Sequence, residues 1–249
     1  MTDPQDQEPK RKPRHALRAM AGLLLFFGLV GISIWQLIVH PSTPLPDQWN
    51  PSKPLVVAEP VTWITPGKLR RALRNPQTCL AALPDPPDVL PLDPFEASDQ
   101  CNIRNRVELR TLGSARIGPI ETSCAIALRT AMWERHSVQP AAANLLNTNV
   151  AAIREIGSYN CRAIRTPNGS SNRMSTHATA EAIDITGFIL GDGRRVILKD
   201  HWESVEFGDF LKAVRDGACK WYATTLGPDY NSLHADHFHL QARGWGTCR

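Results

Sequence analysis

Three of the eight histidines fall within six residues, in His234-Ala235-Asp236-His237-Phe238-His239. On an extended strand, alternate side chains face opposite ways. His237, His239 and Gln241 then share one face, while Phe238 and Leu240 turn to the core. Two neighbouring imidazoles facing away from a core suit metal binding or proton transfer, although an isolated pair of this kind is more often just two surface histidines. A second cluster, Ser175-Thr176-His177-Ala178-Thr179-Ala180-Glu181-Ala182-Ile183-Asp184, changes that balance. His177 precedes a turn of small residues, and Asp184 opens an apolar run in which a carboxylate is costly to bury unless paired or bound to a cation. His177, Asp184 and His239 would give zinc three protein ligands and leave one position for water. Zinc lowers the pKa of such a water to about 7. The bland alternative has Asp184 bonding a backbone turn and His177 lying free.

Elements able to position these residues can be read from periodicity. Ala182 to Leu190 is a β-rich run, and Gly191-Asp192-Gly193 turns into a second strand at Arg194–Leu198. Asn149 to Ile164 supplies two short strands around Gly157, and His237 to Ala242 a final one. Ser204 to Trp221 keeps Phe207, Phe210, Leu211, Val214, Ala218 and Trp221 on one helical face. Glu121 to His136 has apolar residues at helical steps, and Pro66 to Leu80 reads as a short amphipathic helix. The Pro/Asp-rich stretch LPDPPDVLPLDPFEASD is expected to loop out between Cys79 and Cys101. The sum is an α+β fold with a small, mainly antiparallel sheet and flanking helices, with no internal repeat.

Upstream lies a different kind of segment. From Ala19 to Val39 there are 21 residues without a formal charge, and about 20 are needed to cross the hydrocarbon core. Lys10, Arg11, Lys12, Arg14 and Arg18 flank it on the N-terminal side, and Trp35 sits near the other end. The expectation is an uncleaved membrane anchor over 19–39, preceded by a cytoplasmic basic tail over 1–18, with the rest exported; in a bacterial chain these would be the inner membrane and the periplasm. A cleaved signal peptide would want a shorter apolar run and a small-residue cleavage site. Residues 40–62 are proline-rich and read as an extended, semi-rigid spacer, leaving 63–249 as the exported domain.

The six cysteines, Cys79, Cys101, Cys124, Cys161, Cys219 and Cys248, suit an exported chain, and the absence of any CxxC pair excludes zinc-ribbon spacing. The preferred pairing joins neighbours, Cys79–Cys101, Cys124–Cys161 and Cys219–Cys248, each bridge worth about 2–4 kcal/mol. Hydrophobic content of 42% and charged content of 21% are those of a globular chain. Beyond the N-terminal tail no basic block is interleaved with aromatics, so nucleic acid is not an expected partner.

The pair SxHxxxxAxD and HxDHxH resembles the zinc peptidases that include D-Ala-D-Ala carboxypeptidases, murein endopeptidases and the hedgehog signalling domain. Within that group the chain is similar to the bacterial extensin-like C-terminal domain over about Leu73–Arg249, through SYNCR at Ser158–Arg162, LGPDYN at Leu226–Asn231 and the terminal CR. The resemblance implies a zinc cofactor on His177, Asp184 and His239, and peptidoglycan peptides as substrate. It implies a general base at Asp236, three residues before the last ligand, although strand parity puts Asp236 on the face opposite His239. His237 and His234 resemble histidines that stabilise an oxyanion, and the division of roles among the three stays open. Arg162 would pair with a substrate carboxylate, and Ser175 would line the substrate site. The peptidases commonly carry glycine where this chain has Ala180.

Two functions follow as expectations. One is a membrane-anchored zinc hydrolase cutting amide bonds in peptidoglycan, as a carboxypeptidase or endopeptidase. The other is a zinc-stabilised wall- or protein-binding module without turnover. A purely structural zinc site takes a fourth protein ligand, so an open position favours the enzyme.

Overall fold

The computed structural model describes residues 14–83, 89–166 and 169–249. Lys10, Arg11 and Lys12 of the basic tail, and residues 84–88 of the Pro/Asp-rich stretch, lie outside the described residues, while the rest of that stretch carries two short strands where a loop is expected. The chain divides into a unit ending at Lys53 and a larger one, Pro54–Arg249.

The first unit is built on helix α1, Arg14–Val39, whose 26 residues span about 39 Å at 1.5 Å each. It is long and apolar enough to cross a membrane, a property that an anchor and a signal sequence share. The segment after it does not simply extend. Asn50 is fully buried, its amide donates to the Ile38 carbonyl at 2.9 Å, and its Oδ1 accepts from the Ser52 N–H at 2.8 Å. A side chain thus returns to satisfy a carbonyl in the last turn of α1, one of those a helix end leaves unbonded.

The second unit begins inside the stretch read as spacer, because Leu55 and Val57 are buried in its core. The His136 Nε2–H donates to the Val57 carbonyl at 2.9 Å. The single helix expected over 66–80 is two, α2 (Thr65–Ala72) and α3 (Pro76–Ala82). Pro76 disfavours helical geometry at Asn75, whose side chain instead caps α3 by accepting the Thr78 N–H at 2.8 Å.

Strands β1 (Val89–Pro91), β2 (Phe95–Ser98), β3 (Cys101–Ile103), β4 (Arg106–Leu112) and β5 (Ala115–Ser123) follow. The helix expected from Glu121 starts only at Cys124, where the Ser123 hydroxyl accepts the Ile126 N–H. It runs as α4 (Cys124–Trp133), a wide π turn (Glu134–Val138) and α5 (Gln139–Leu146). Next come β6 (Val150–Gly157), the hairpin β7 (Ala163–Thr166) and β8 (Gly169–Met174), a 3-10 turn at Thr176–Thr179, and β9 (Ala182–Leu190). The chain ends with β10 (Arg195–Ile197), α6 (Leu198–His201), α7 (Gly208–Trp221), β11 (Thr224–Leu226), β12 (Phe238–Gln241) and β13 (Thr247–Cys248).

The fold is α+β, but the sheet is not small. Nine described strands join in the order β1-β4-β5-β6-β9-β12-β11-β13, with β10 also on β9. Pairing is antiparallel except for β5–β6 and β11–β13. Ile183 and Ile185 pair with Leu240 and Phe238, and all four sit in the core. Phe188 and Leu190 join the same core despite the opposite sequence parity, because the register shift at Arg154/Glu155 falls between. Trp133 and Phe210 from the helices meet Phe188 at ring distances of 6.0 and 5.3 Å.

The disulfides correct two expected pairings. Cys79 bonds Cys124 and Cys101 bonds Cys161, while Cys219–Cys248 is as expected. Doubling a loop costs only about 0.6 kcal/mol of closure entropy, so nearness in sequence is a poor guide to partners. Packing decides instead, since α3 lies on α4 and carries Cys79 to Cys124.

Candidate metal centre

β9 and β12 bring the two sequence clusters together. Asp184 and His239 are direct cross-strand partners, and the Asp184 Oδ1 lies 2.7 Å from His239 Nδ1. On the other side Asp184 pairs with Gly157, which puts no side chain beside the carboxylate. His177 arrives from the 3-10 turn Thr176–Thr179, capped by Ser175, whose hydroxyl accepts the His177 N–H. Ser175 therefore serves first as the cap of this turn, while also lining the cleft above it. Ala180 closes the turn in the left-handed region, φ 49° and ψ 33°. Alanine here takes a geometry that costs an L-residue about 1–2 kcal/mol, and the turn that carries His177 forms with it.

His177 Nε2 lies 3.1 Å from Asp184 Oδ2 and 3.1 Å from His239 Nδ1. One ligand atom from each of the three residues falls within 4.8 Å of the other two. The tautomer of His177 follows from its partner. Nδ1 sits 2.8 Å from the Ser158 carbonyl, which can only accept, so Nδ1 carries the proton and Nε2 a lone pair. That lone pair faces a carboxylate oxygen and a second imidazole, a set of acceptors that suits a cation. Zinc–ligand bonds of about 2.0–2.1 Å in a tetrahedron separate ligand atoms by roughly 3.3 Å, close to the spacing here. His177 and Asp184 are 2% and 9% exposed. Burial by itself would raise the Asp184 carboxyl, but the imidazoles of His177 and His239 at its two oxygens outweigh it and hold the group far below the usual range. Burial lowers His239, against the pull of Asp184. Both shifts favour the deprotonated forms that ligate metal.

The site opens into a cleft of about 490 Å³. His237 lines it with Nε2 3.7 Å from Asp184 Oδ1, while its Nδ1–H donates to Asp236 Oδ1 at 2.8 Å. Asp236 itself has a side chain 60% exposed and points at His237 rather than at the ligands. Strand parity thus read the face correctly, although His237 precedes the first residue of β12. His234 follows Asn231, whose Oδ1 accepts both the Leu233 N–H and the His234 Nδ1–H, the latter at 2.7 Å. Burial, then the nearby His239 and His237, push His234 down to about 4, so at neutral pH its Nε2 is an acceptor.

Arg162 and Arg165 line the cleft, with Ile156, Ile164, Leu226 and Leu233 as apolar wall. Burial and Arg165 lower the Arg162 guanidinium, against the attraction of Asp184. Two contributors were not legible as such in the sequence. Ser158, inside SYNCR, orients His177 through its carbonyl, and its hydroxyl donates to the Ala182 carbonyl at 2.6 Å and meets Thr122 Oγ1 at 2.6 Å. Asn231, inside LGPDYN, orients His234.

A family model described as the extensin-like protein C-terminus matches residues 77–249. No curated protein and no solved structure matches the chain.

Proposed function

The chain belongs to the extensin-like C-terminal family, and from that premise we propose that it is a membrane-anchored, periplasmic zinc hydrolase of peptide amide bonds in peptidoglycan. The observation that carries the reading is the lone pair of His177 Nε2 aimed at Asp184 and His239 Nδ1 on the floor of an open cleft. A zinc ion held by those three residues would supply Lewis acidity, polarising a carbonyl oxygen and acidifying a water.

The chain's own groups supply the rest. His237 Nε2 takes a proton from the attacking water and passes it to the leaving amine, and Asp236 holds His237 in the tautomer that leaves Nε2 free. His234, locked by Asn231 with an acceptor facing the cleft, receives a substrate N–H rather than stabilising an oxyanion. Arg162 and Arg165 offer donors for a peptide carboxylate. The cross-strand pairing of Asp184 with His239 keeps two of the ligands on adjacent strands, so little has to move on binding.

The test is incubation of the full chain with zinc and purified muropeptides, reading products by mass. Loss of a terminal residue or of a cross-link, abolished by chelation and restored by zinc, is the expected result. Zinc binding with no product from any muropeptide would replace this reading with the non-catalytic binding module.

A further inference from the structure

One face of α2 has no role in the metal site or the core. Gly67 and Arg70 lie on the exposed side of α2, with Trp63 just before the helix and Arg74 just after it, while Thr65, Lys68, Leu69 and Ala72 fill the buried face. Trp63 is 81% exposed and neighbouring Val61 48%. Arg70 and Arg74 are exposed, and among the described residues neither pairs with a carboxylate. Glu59, upstream of the helix, lies 3.8 Å from buried Lys68. The helix and its two flanks thus expose Arg70, Arg74 and a bare indole.

We propose that this face docks on the anionic phospholipid headgroups of the bilayer that α1 enters; the inference rests on reading α1 as an anchor. Two observations select that occupant. An amphipathic indole beside guanidinium groups matches the headgroup level, where tryptophan settles and arginine meets phosphate. The connection also returns to the end of α1 instead of leading away from it. Asn50 and Ser52 both bond the Ile38 carbonyl, and Pro54 opens the second unit four residues after Asn50, a contour of roughly 14 Å. A stiff spacer would have held the folded unit off the surface. The α2 face gives the exported domain something to hold on that bilayer. Docking would fix which way the metal cleft looks relative to the membrane.

The full chain in lipid nanodiscs tests this with two tryptophans. Trp35 in α1 reports insertion through quenching by lipids brominated in the acyl chain, isolated by comparison with Trp35→Phe. Trp63 reports docking through quenching by headgroup-labelled lipid, isolated by comparison with Trp63→Phe. The expected result is at least a twofold loss of Trp63 emission in phosphatidylglycerol discs and little loss in pure phosphatidylcholine discs. Arg70→Glu with Arg74→Glu should remove the difference and leave Trp35 quenching unchanged. Quenched Trp35 with unquenched Trp63 in both lipids overturns the docking face. Unquenched Trp35 overturns the anchor reading instead. Equal Trp63 quenching in both lipids overturns the charge argument.

Discussion

Asp184 and His239 face each other across β9 and β12, with Oδ1 and Nδ1 2.7 Å apart. Backbone hydrogen bonds of two adjacent strands hold this pair, so its geometry does not depend on a loop. His177 comes from a 3-10 turn instead of a strand, and it is fixed by the Ser158 carbonyl and the Ser175 cap. The full chain should therefore bind one zinc per molecule and melt at a higher temperature with metal than without. Asp184→Ala should lose most of the metal. Stoichiometric zinc in that variant, by elemental analysis, would show that the three ligands are wrongly assigned.

The outer support of His177 makes a separate prediction. Ser158→Ala removes the hydroxyl bonded to the Ala182 carbonyl and Thr122 and leaves those buried groups short of a partner, at a cost of about 1–3 kcal/mol. The carbonyl that orients His177 is backbone and survives in alanine, so metal affinity should fall only through displacement of that carbonyl, by less than the roughly 10–100-fold expected when an outer partner is removed. The cobalt-loaded protein checks this, since its visible spectrum reports ligand geometry. An unchanged spectrum with reduced melting temperature would mean that Ser158 supports only the fold.

A non-reducing digest should yield linked peptides for Cys79–Cys124, Cys101–Cys161 and Cys219–Cys248, with no free thiol. A Cys79–Cys101 peptide as the main product would contradict the way α3 packs on α4. Cys101–Cys161 also ties β3 to the segment that contains Ser158. Its selective reduction should therefore weaken metal binding more than selective reduction of Cys219–Cys248.

Much of the site was legible because it lies on regular elements with strong local patterns. The alternation of Phe238 and Leu240 against His237 and His239 separates the core face from the face that lines the cleft. The acid in AIDITGFIL stood out against apolar neighbours. The hairpin of β4 and β5 leaves a weaker trace, with Val107 and Leu109 alternating with polar residues before a turn at Gly113-Ser114. Helical spacing from Cys124 onward was extended back into Glu121, which belongs to the strand. The Asn50 hook and the Ser158 carbonyl leave no periodic trace. Each depends on a contact between one polar group and a backbone atom elsewhere in the chain, and proline-rich composition around Asn50 suggested extension instead. The interleaved disulfides were hidden for the same reason, since closure entropy barely distinguishes partners.

The division of labour between Asp236 and His237 can be settled by a pair of substitutions. His237 lines the cleft with Nε2 3.7 Å from Asp184 Oδ1, whereas Asp236 reaches the site only through its bond to His237 Nδ1. His237→Ala removes the proton acceptor and should lower kcat by about 10²–10⁴-fold with zinc content unchanged. Asp236→Asn keeps an oxygen able to accept the Nδ1–H and removes only the charge that stabilises a protonated imidazole, so its loss should be the smaller. Both side chains lie outside the ligand set, so neither change should release metal, and His239→Ala serves as the contrast that loses metal and activity together. Elemental analysis alongside initial rates on a muropeptide distinguishes the cases. A larger loss in Asp236→Asn than in His237→Ala would make the carboxylate the base, and would require the Asp236–His237 bond to open when substrate binds.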